Sequence, residues 1–127
     1  MKLTLQDELP FTTVKASYQG KVIEIPNTLI DTGSATTILS ADVLSTLNIF
    51  PSPEDPLYTI RGVGGTEVVF VRKIDYLQLG ECRLSSFEIE VGGMDYGFEI
   101  NGILGMDFLK QAGAIINLKE MQIQFEK

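Results

Sequence analysis

The sequence has 127 residues, 44% of them apolar, with 12 glycines and 5 prolines, which suits one turn-rich, strand-rich globular domain over residues 1–127 better than a disordered chain. Ten basic against 17 acidic residues leave a net charge of −7, so no phosphate-binding surface and no nucleic-acid partner are expected, and solubility is the plain reading of the acidity. With no histidine and one cysteine, Cys82, a Ser-His-Asp triad, a Cys-His pair, a His-ligated zinc site and an intrachain disulfide are excluded within one chain, which leaves carboxylates as the leading acid–base groups.

Polar and charged residues interrupt Met1 to Glu8 before an apolar signal core could form, and no run approaches the ~20 apolar residues of a membrane span. A soluble, cytoplasmic chain is the expectation, with no membrane partner. Leu3 and Leu5 open the first alternating run. Val14 to Tyr18 and Val22 to Ile25 read as strands joined by a turn at Gln19-Gly20. The apolar run Thr28-Leu29-Ile30 stops at Asp31-Thr32-Gly33-Ser34. Ser40 suits the N-cap of a short helix over Ala41 to Leu47 that ends near Asn48. Pro51, Pro53 and Pro56 mark a loop.

Tyr58-Thr59-Ile60 and Glu67 to Val71 flank the segment Arg61-Gly62-Val63-Gly64-Gly65-Thr66. Two strand-like runs around a glycine-rich tip predict a β-hairpin; the plainer alternative for the tip is an ordinary turn. Ile74 to Leu79 and Phe87 to Val91 alternate as two further strands, with a turn at Gly80-Glu81 after the first and Gly92-Gly93 ending the second. Cys82 reads as a small half-buried residue near that turn. Asp95, in Met94-Asp95-Tyr96-Gly97, reads as a turn residue. Ile100 to Gly105 is an apolar run broken by glycines, and Met106 to Lys110 suits a short helix. Ala114 to Leu118 and Met121 to Phe125 form a last pair of strands. The fold class is all-β with one or two short helices.

The sharpest chemical signal is Asp31-Thr32-Gly33-Ser34. An apolar lead-in carries the chain out of the core to a carboxylate at the mouth of a tight turn, where Gly33 permits close backbone approach and Thr32 and Ser34 offer hydroxyls. Two such carboxylates brought together cannot both ionise, so they share a proton, and a water between them can be deprotonated and aimed at a peptide carbonyl. The bland alternative for Asp31 is an Asx-turn residue. Asp107 follows Leu104-Gly105-Met106 at a helix start, where free N–H groups and the helix dipole favour a carboxylate, so its reading is structural. The 17 acidic residues show no calcium-loop spacing, so no metal or other cofactor is expected.

Leu29-Ile30-Asp31-Thr32-Gly33-Ser34 resembles the catalytic loop of aspartic proteases. About seventy positions later, Ile103-Leu104-Gly105 before a short helix resembles the second signature of that family, an apolar-apolar-Gly segment packed beside the loop. The glycine-rich hairpin falls between them, where a retropepsin places its flap. Order and size are similar to a retroviral-type protease over most of the chain, and the Leu104-Gly105-Met106-Asp107-Phe108 stretch is similar to the bacterial and cellular single-domain branch. The resemblance implies a single-domain, closed, barrel-like acid-protease fold.

It also implies roles. Asp31 would be the acid/base carboxylate. Thr32 would hydrogen-bond to the matching loop of a second subunit, Gly33 would let substrate backbone run close, and Ser34 would support the outer carboxylate oxygen. Arg61, Gly62, Val63, Gly64 and Gly65 would form the flap over a bound peptide, and Ile103, Leu104 and Gly105 would pack against the loop. Ser34, where many relatives have Ala, and Arg61 at the flap base depart from the common pattern. One chain supplies one Asp31 loop, so the pair requires a homodimer about a two-fold axis. By resemblance the chain ends would join it, with Leu3, Leu5, Ile123 and Phe125 interdigitating; alternatively they pair inside one subunit. The expected activity is an aspartic endopeptidase acting on a peptide or protein substrate. The competing reading is a catalytically silent dimer of the same fold that binds peptides or joins assemblies.

Overall fold

The computed structural model describes residues 1–62, 65–94 and 99–126, with Ile60–Gly62 and Gly65–Glu67 described by backbone alone. Val63 and Gly64 of the expected flap, and the turn expected at Asp95, lie outside the described residues. Ten strands and two short helices are described: β1 (Thr4–Gln6), β2 (Leu9–Tyr18), β3 (Lys21–Ile30), β4 (Ile38–Ser40), α1 (Ala41–Leu44), β5 (Leu57–Gly62), β6 (Gly65–Leu79), β7 (Cys82–Gly92), β8 (Gly102–Leu104), α2 (Met106–Gln111), β9 (Ala114–Asn117) and β10 (Gln122–Phe125). The all-β class with short helices is therefore what the chain adopts.

Alternation drives the long strands. In β2, Val14 and Ala16 are buried while Thr13 and Lys15 face solvent, the period of a half-buried strand. The two-residue turn into β3 holds Gln19 at φ 51° and Gly20 at φ 82°. Two successive positive φ values are what a tight hairpin needs to match strand twist. Ser40 caps α1, its hydroxyl accepting from the Val43 N–H at 3.5 Å. A 3-10 turn over Ser45–Leu47 follows and ends at left-handed Asn48, as the helix limits expected from sequence require.

Where the sequence broke one segment into two strands near Arg72, β6 runs unbroken for 15 residues. It pairs with β7 from Phe70 to Leu79, with β5 before that stretch and with β2 near its end. Continuous pairing along one edge carries the backbone through two charged residues that local pattern alone reads as a break.

The strand order is β1-β2-β3-β8-β4-β7-β6-β5, and the extra β2–β6 pairing closes six of these strands into a ring. Its interior is filled by Val14, Ile25, Leu39, Ile89, Leu104 and Phe108, all essentially solvent-free. Most neighbours are antiparallel, but β3 runs parallel to β8, and β4 runs parallel to β7 and antiparallel to β8.

The chain ends pair with each other. Leu3 N–H donates to Met121 O at 2.8 Å, Ile123 N–H to Met1 O at 2.9 Å, and the Met1 ammonium to Ile123 O at 2.8 Å. Leu3 and Ile123 are buried in this subunit's own core. This is the pairing inside one subunit that the sequence left open as the alternative. Phe125 packs against the same core, and Leu5 is exposed. Among the described residues, no helix is long and apolar enough to cross a membrane.

Candidate active site

The loop that follows β3 is held on both sides by backbone. Parallel pairing of Thr28, Leu29 and Ile30 with Gly102, Ile103 and Leu104 continues one step further, where Asp31 N–H donates to Leu104 O at 3.0 Å. The chain then turns, with Ser34 N–H donating to Asp31 O at 3.1 Å. Gly33 N–H donates to Asp31 Oδ1 at 2.9 Å, which fixes the carboxylate, and no described residue donates to Oδ2. Asp31 is half-buried, while Thr32 and Gly33 are exposed. A Cβ at Gly33 would stand 3.2 Å from Asp31 Oδ1, crowding the oxygen that this N–H holds.

The Ser34 hydroxyl donates to Thr36 O at 2.7 Å. Its expected place against the outer oxygen of Asp31 is therefore corrected within the chain: the hydroxyl proton is already used two residues on, where it shapes the loop. Thr32 stands exposed at the loop's outer edge.

The far side of the loop is stitched to the segment entering α2. Met106 N–H donates to Ser34 O at 2.8 Å and Asp107 N–H to Ala35 O at 3.2 Å, so loop carbonyls satisfy the first orphan N–H groups of the helix. Gly105 makes this approach possible. A Cβ there would lie 2.2 Å from Thr36 O and 2.9 Å from Ser34 O. Buried Thr37 completes the joint, its N–H and hydroxyl donating to Asp107 Oδ2 (3.1 Å) and Oδ1 (2.7 Å) while its Oγ1 accepts from Gly105 N–H (3.1 Å). Asp107 also accepts from Phe108 N–H at 2.7 Å. It sits in the first turn of α2, and its bonds are those of a structural carboxylate.

The structure thus brings Asp31, Thr32, Gly33 and Ser34 together with Ile103, Leu104 and Gly105. The expected hairpin strands are present: Arg61 pairs with Thr66 and Gly62 with Gly65 across β5 and β6. In the sheet, β4 and β7 separate that hairpin from β8. At the hairpin's base, Arg72 reaches the loop before β5. Its guanidinium donates twice to Asp55 (2.7 and 3.3 Å), to Phe50 O (2.9 Å) and to the Tyr18 hydroxyl (3.1 Å), and it lies over the rings of Tyr18 and Phe70. The bond from Arg72, followed by that from Ser52 N–H, holds the Asp55 carboxyl below the usual carboxylate range.

Sequence reasoning missed Thr36, Thr37, Glu90 and the Arg72 clamp. Thr36 Oγ1 donates to Glu90 Oε1, and Glu90 N–H donates to Thr37 O at 2.9 Å. These partners lie more than fifty positions apart, and no local pattern marks them. Among the described residues, no three His, Cys, Asp or Glu side chains converge as a metal cage would.

A family model described as aspartyl protease matches residues 14–108, a span holding both the Asp31 loop and Ile103-Leu104-Gly105. No curated protein matches the sequence.

Proposed function

The chain belongs to the retropepsin-like aspartic protease family, and from that premise we propose that it is an endopeptidase working as a homodimer, with residues 1–127 forming one domain and half of the active site. Each subunit contributes one Asp31. Two carboxylates meeting at the two-fold axis hold a single proton, because like charges at close range cannot both ionise. The ionised member takes a proton from a water between them as the water oxygen attacks the peptide carbonyl carbon. The protonated member gives its proton to the carbonyl oxygen. Collapse of the tetrahedral species breaks the C–N bond, with a proton passing to the leaving nitrogen.

One observation supports this reading above the rest. Asp31 is held by its own N–H on Leu104 O and by Gly33 N–H on Oδ1, next to the exposed Thr32 and Gly33. A carboxylate so placed is oriented without being used up, and the exposed loop edge is where a second copy would dock. The segment Arg61, Gly62, Val63, Gly64 and Gly65, which the family resemblance marks as the flap, would cover a bound peptide and exclude water.

The test compares wild type with Asp31→Asn on a peptide library between about pH 4 and 8, with sedimentation measured alongside. Wild-type cleavage that rises with dimer fraction and falls by about a thousandfold or more in Asp31→Asn, at unchanged circular dichroism, is the expected result. Peptide binding without turnover, indifferent to Asp31→Asn, would instead establish the silent dimer. A strict monomer that cleaves at full rate overturns the paired-carboxylate scheme.

A further inference from the structure

Asp31 follows two residues after Leu29, so their side chains project to the same side of β3 and its continuation. Strand register extends that side across the sheet. Phe11 pairs with Leu29, Leu29 with Ile103, Ile103 with Ile38, Ile38 with Glu90, and Glu90 with Val71. Registered partners share a face. The face that bears Asp31 therefore carries a row of apolar side chains crossing β2, β3, β8 and β4. Phe11 and Ile38 are buried there in one cluster with Met94 and Ile100, and Leu29 and Ile103 pack against it and are partly open. The row ends in a carboxylate at Glu90 on β7, which stands between Ile38 and Val71.

Glu90 is out of place by pattern. Every other member of the row is apolar, and Glu90 is only half-buried. Its side-chain partner among the described residues is the neutral Thr36 hydroxyl, on the same loop as Asp31. The ion pair among the described residues joins Arg72 to Asp55, so no described Lys or Arg neutralises Glu90. A partly desolvated carboxylate flanked by apolar groups is costly without a countercharge, and a ligand can supply one.

We propose that Glu90 is a specificity-determining residue that selects a Lys or Arg side chain in the peptide substrate, beyond an apolar stretch lying over the partly open Leu29 and Ile103. The proposal rests on the endopeptidase reading and narrows its substrate class. Strands spaced at about 4.8 Å put Glu90 about 14 Å across the sheet from Leu29, and an extended peptide covers that in about four residues. The basic residue therefore sits about four positions from the scissile bond, on one side of it. Thr36 positions the carboxylate by donating to Oε1, which leaves Oε2 for the incoming cation. The overall charge of −7 steers the same class of peptide toward the cleft.

The experiment uses a set of apolar peptides about ten residues long, each carrying one Lys or one norleucine scanned through the positions. Cleavage by wild type and Glu90→Gln is measured as kcat/KM, and binding of the intact peptides to Asp31→Asn and Asp31→Asn/Glu90→Gln is measured by fluorescence anisotropy. The amide of Gln keeps an acceptor for the Thr36 hydroxyl while removing the charge. We expect Lys over norleucine by about tenfold at one distal position, a ratio near one after Glu90→Gln, and a preference for Glu at that position in Glu90→Lys. A Lys/norleucine ratio that survives Glu90→Gln overturns the proposal, including the case where both peptides weaken alike. If wild type cleaves nothing, the endopeptidase reading fails, and the binding ratio still decides for or against Glu90.

Discussion

Thr37 and Asp107, seventy positions apart, meet through two hydrogen bonds, one from the Thr37 N–H and one from its hydroxyl. That hydroxyl also accepts from Gly105 N–H, so one buried oxygen joins the Asp31 loop, the end of β8 and the first turn of α2. Thr37→Val keeps the shape and removes both hydroxyl bonds, stranding a buried N–H. The expected cost is about 2 kcal/mol in urea unfolding, with Thr37→Ser losing less than half of that. A Thr37→Val protein as stable as wild type would show that the joint bears no strain.

Gly105 tolerates no side chain. A Cβ would meet Thr36 O at 2.2 Å, and backbone on both sides is committed to hydrogen bonds, so neither can retreat. Gly105→Ala is expected to cost about 3 kcal/mol and to shift the amide resonances of residues 31–37 in NMR spectra. Gly20→Ala gives a contrast, because nothing lies within 4 Å of a Cβ there. Its penalty comes from the positive φ alone and is expected near 1 kcal/mol.

The clamp between Arg72 and Asp55 gives stability a pH dependence. The Asp55 carboxyl is held below its ordinary range, chiefly by the hydrogen bond from Arg72 and then by Ser52 N–H. The unfolded chain therefore takes up this proton at higher pH than the folded one. The stabilisation is complete above the ordinary carboxylate value and drains away as pH falls through the depressed one. Asp75, lowered chiefly by Gly20 N–H and also by the Ser17 hydroxyl, acts in the same direction. Melting temperature followed from about pH 6 down to 2 should fall less steeply in Asp55→Asn and in Asp75→Asn than in wild type. Equal slopes would remove these carboxyls from the acid limb.

Cys82 opens β7 half-buried, and burial, aided by the charge of Glu81, pushes its thiol up from the ordinary value. Iodoacetamide should modify it slowly at neutral pH and faster as the pH is raised, lagging a free cysteine peptide throughout. Glu81→Gln should narrow the lag.

Much of this was legible in the sequence. The turn at Gln19-Gly20, the Ser40 cap and the pairing of Ala114–Asn117 with Gln122–Phe125 follow from local chemistry, because each is decided within a few residues. The nearness of Asp31 to Ile103-Leu104-Gly105 came from family resemblance, since nothing local forces two strands so distant in sequence to run parallel. The continuity of β6 through Arg72 and Lys73 was hidden because pairing with β7 overrides local polarity. The destination of the Ser34 hydroxyl was hidden because either a carboxylate or a carbonyl could accept it, and only the loop's path decides. Glu90 looked like one more polar position in an alternating strand until register placed it at the end of an apolar row.

The parallel contact between β3 and β8 also sets the order in which the molecule can mature. Asp31 leaves the ribosome long before Leu104, whose carbonyl accepts its N–H, and before Gly105 and Met106, which brace the rest of the loop. A nascent chain halted short of that second segment keeps the Gly33 N–H on Asp31 Oδ1 but lacks the backbone brace around the loop. The loop takes its full shape only once the segment 103–106 docks against it, so the order of synthesis sets when the Asp31 turn can be braced.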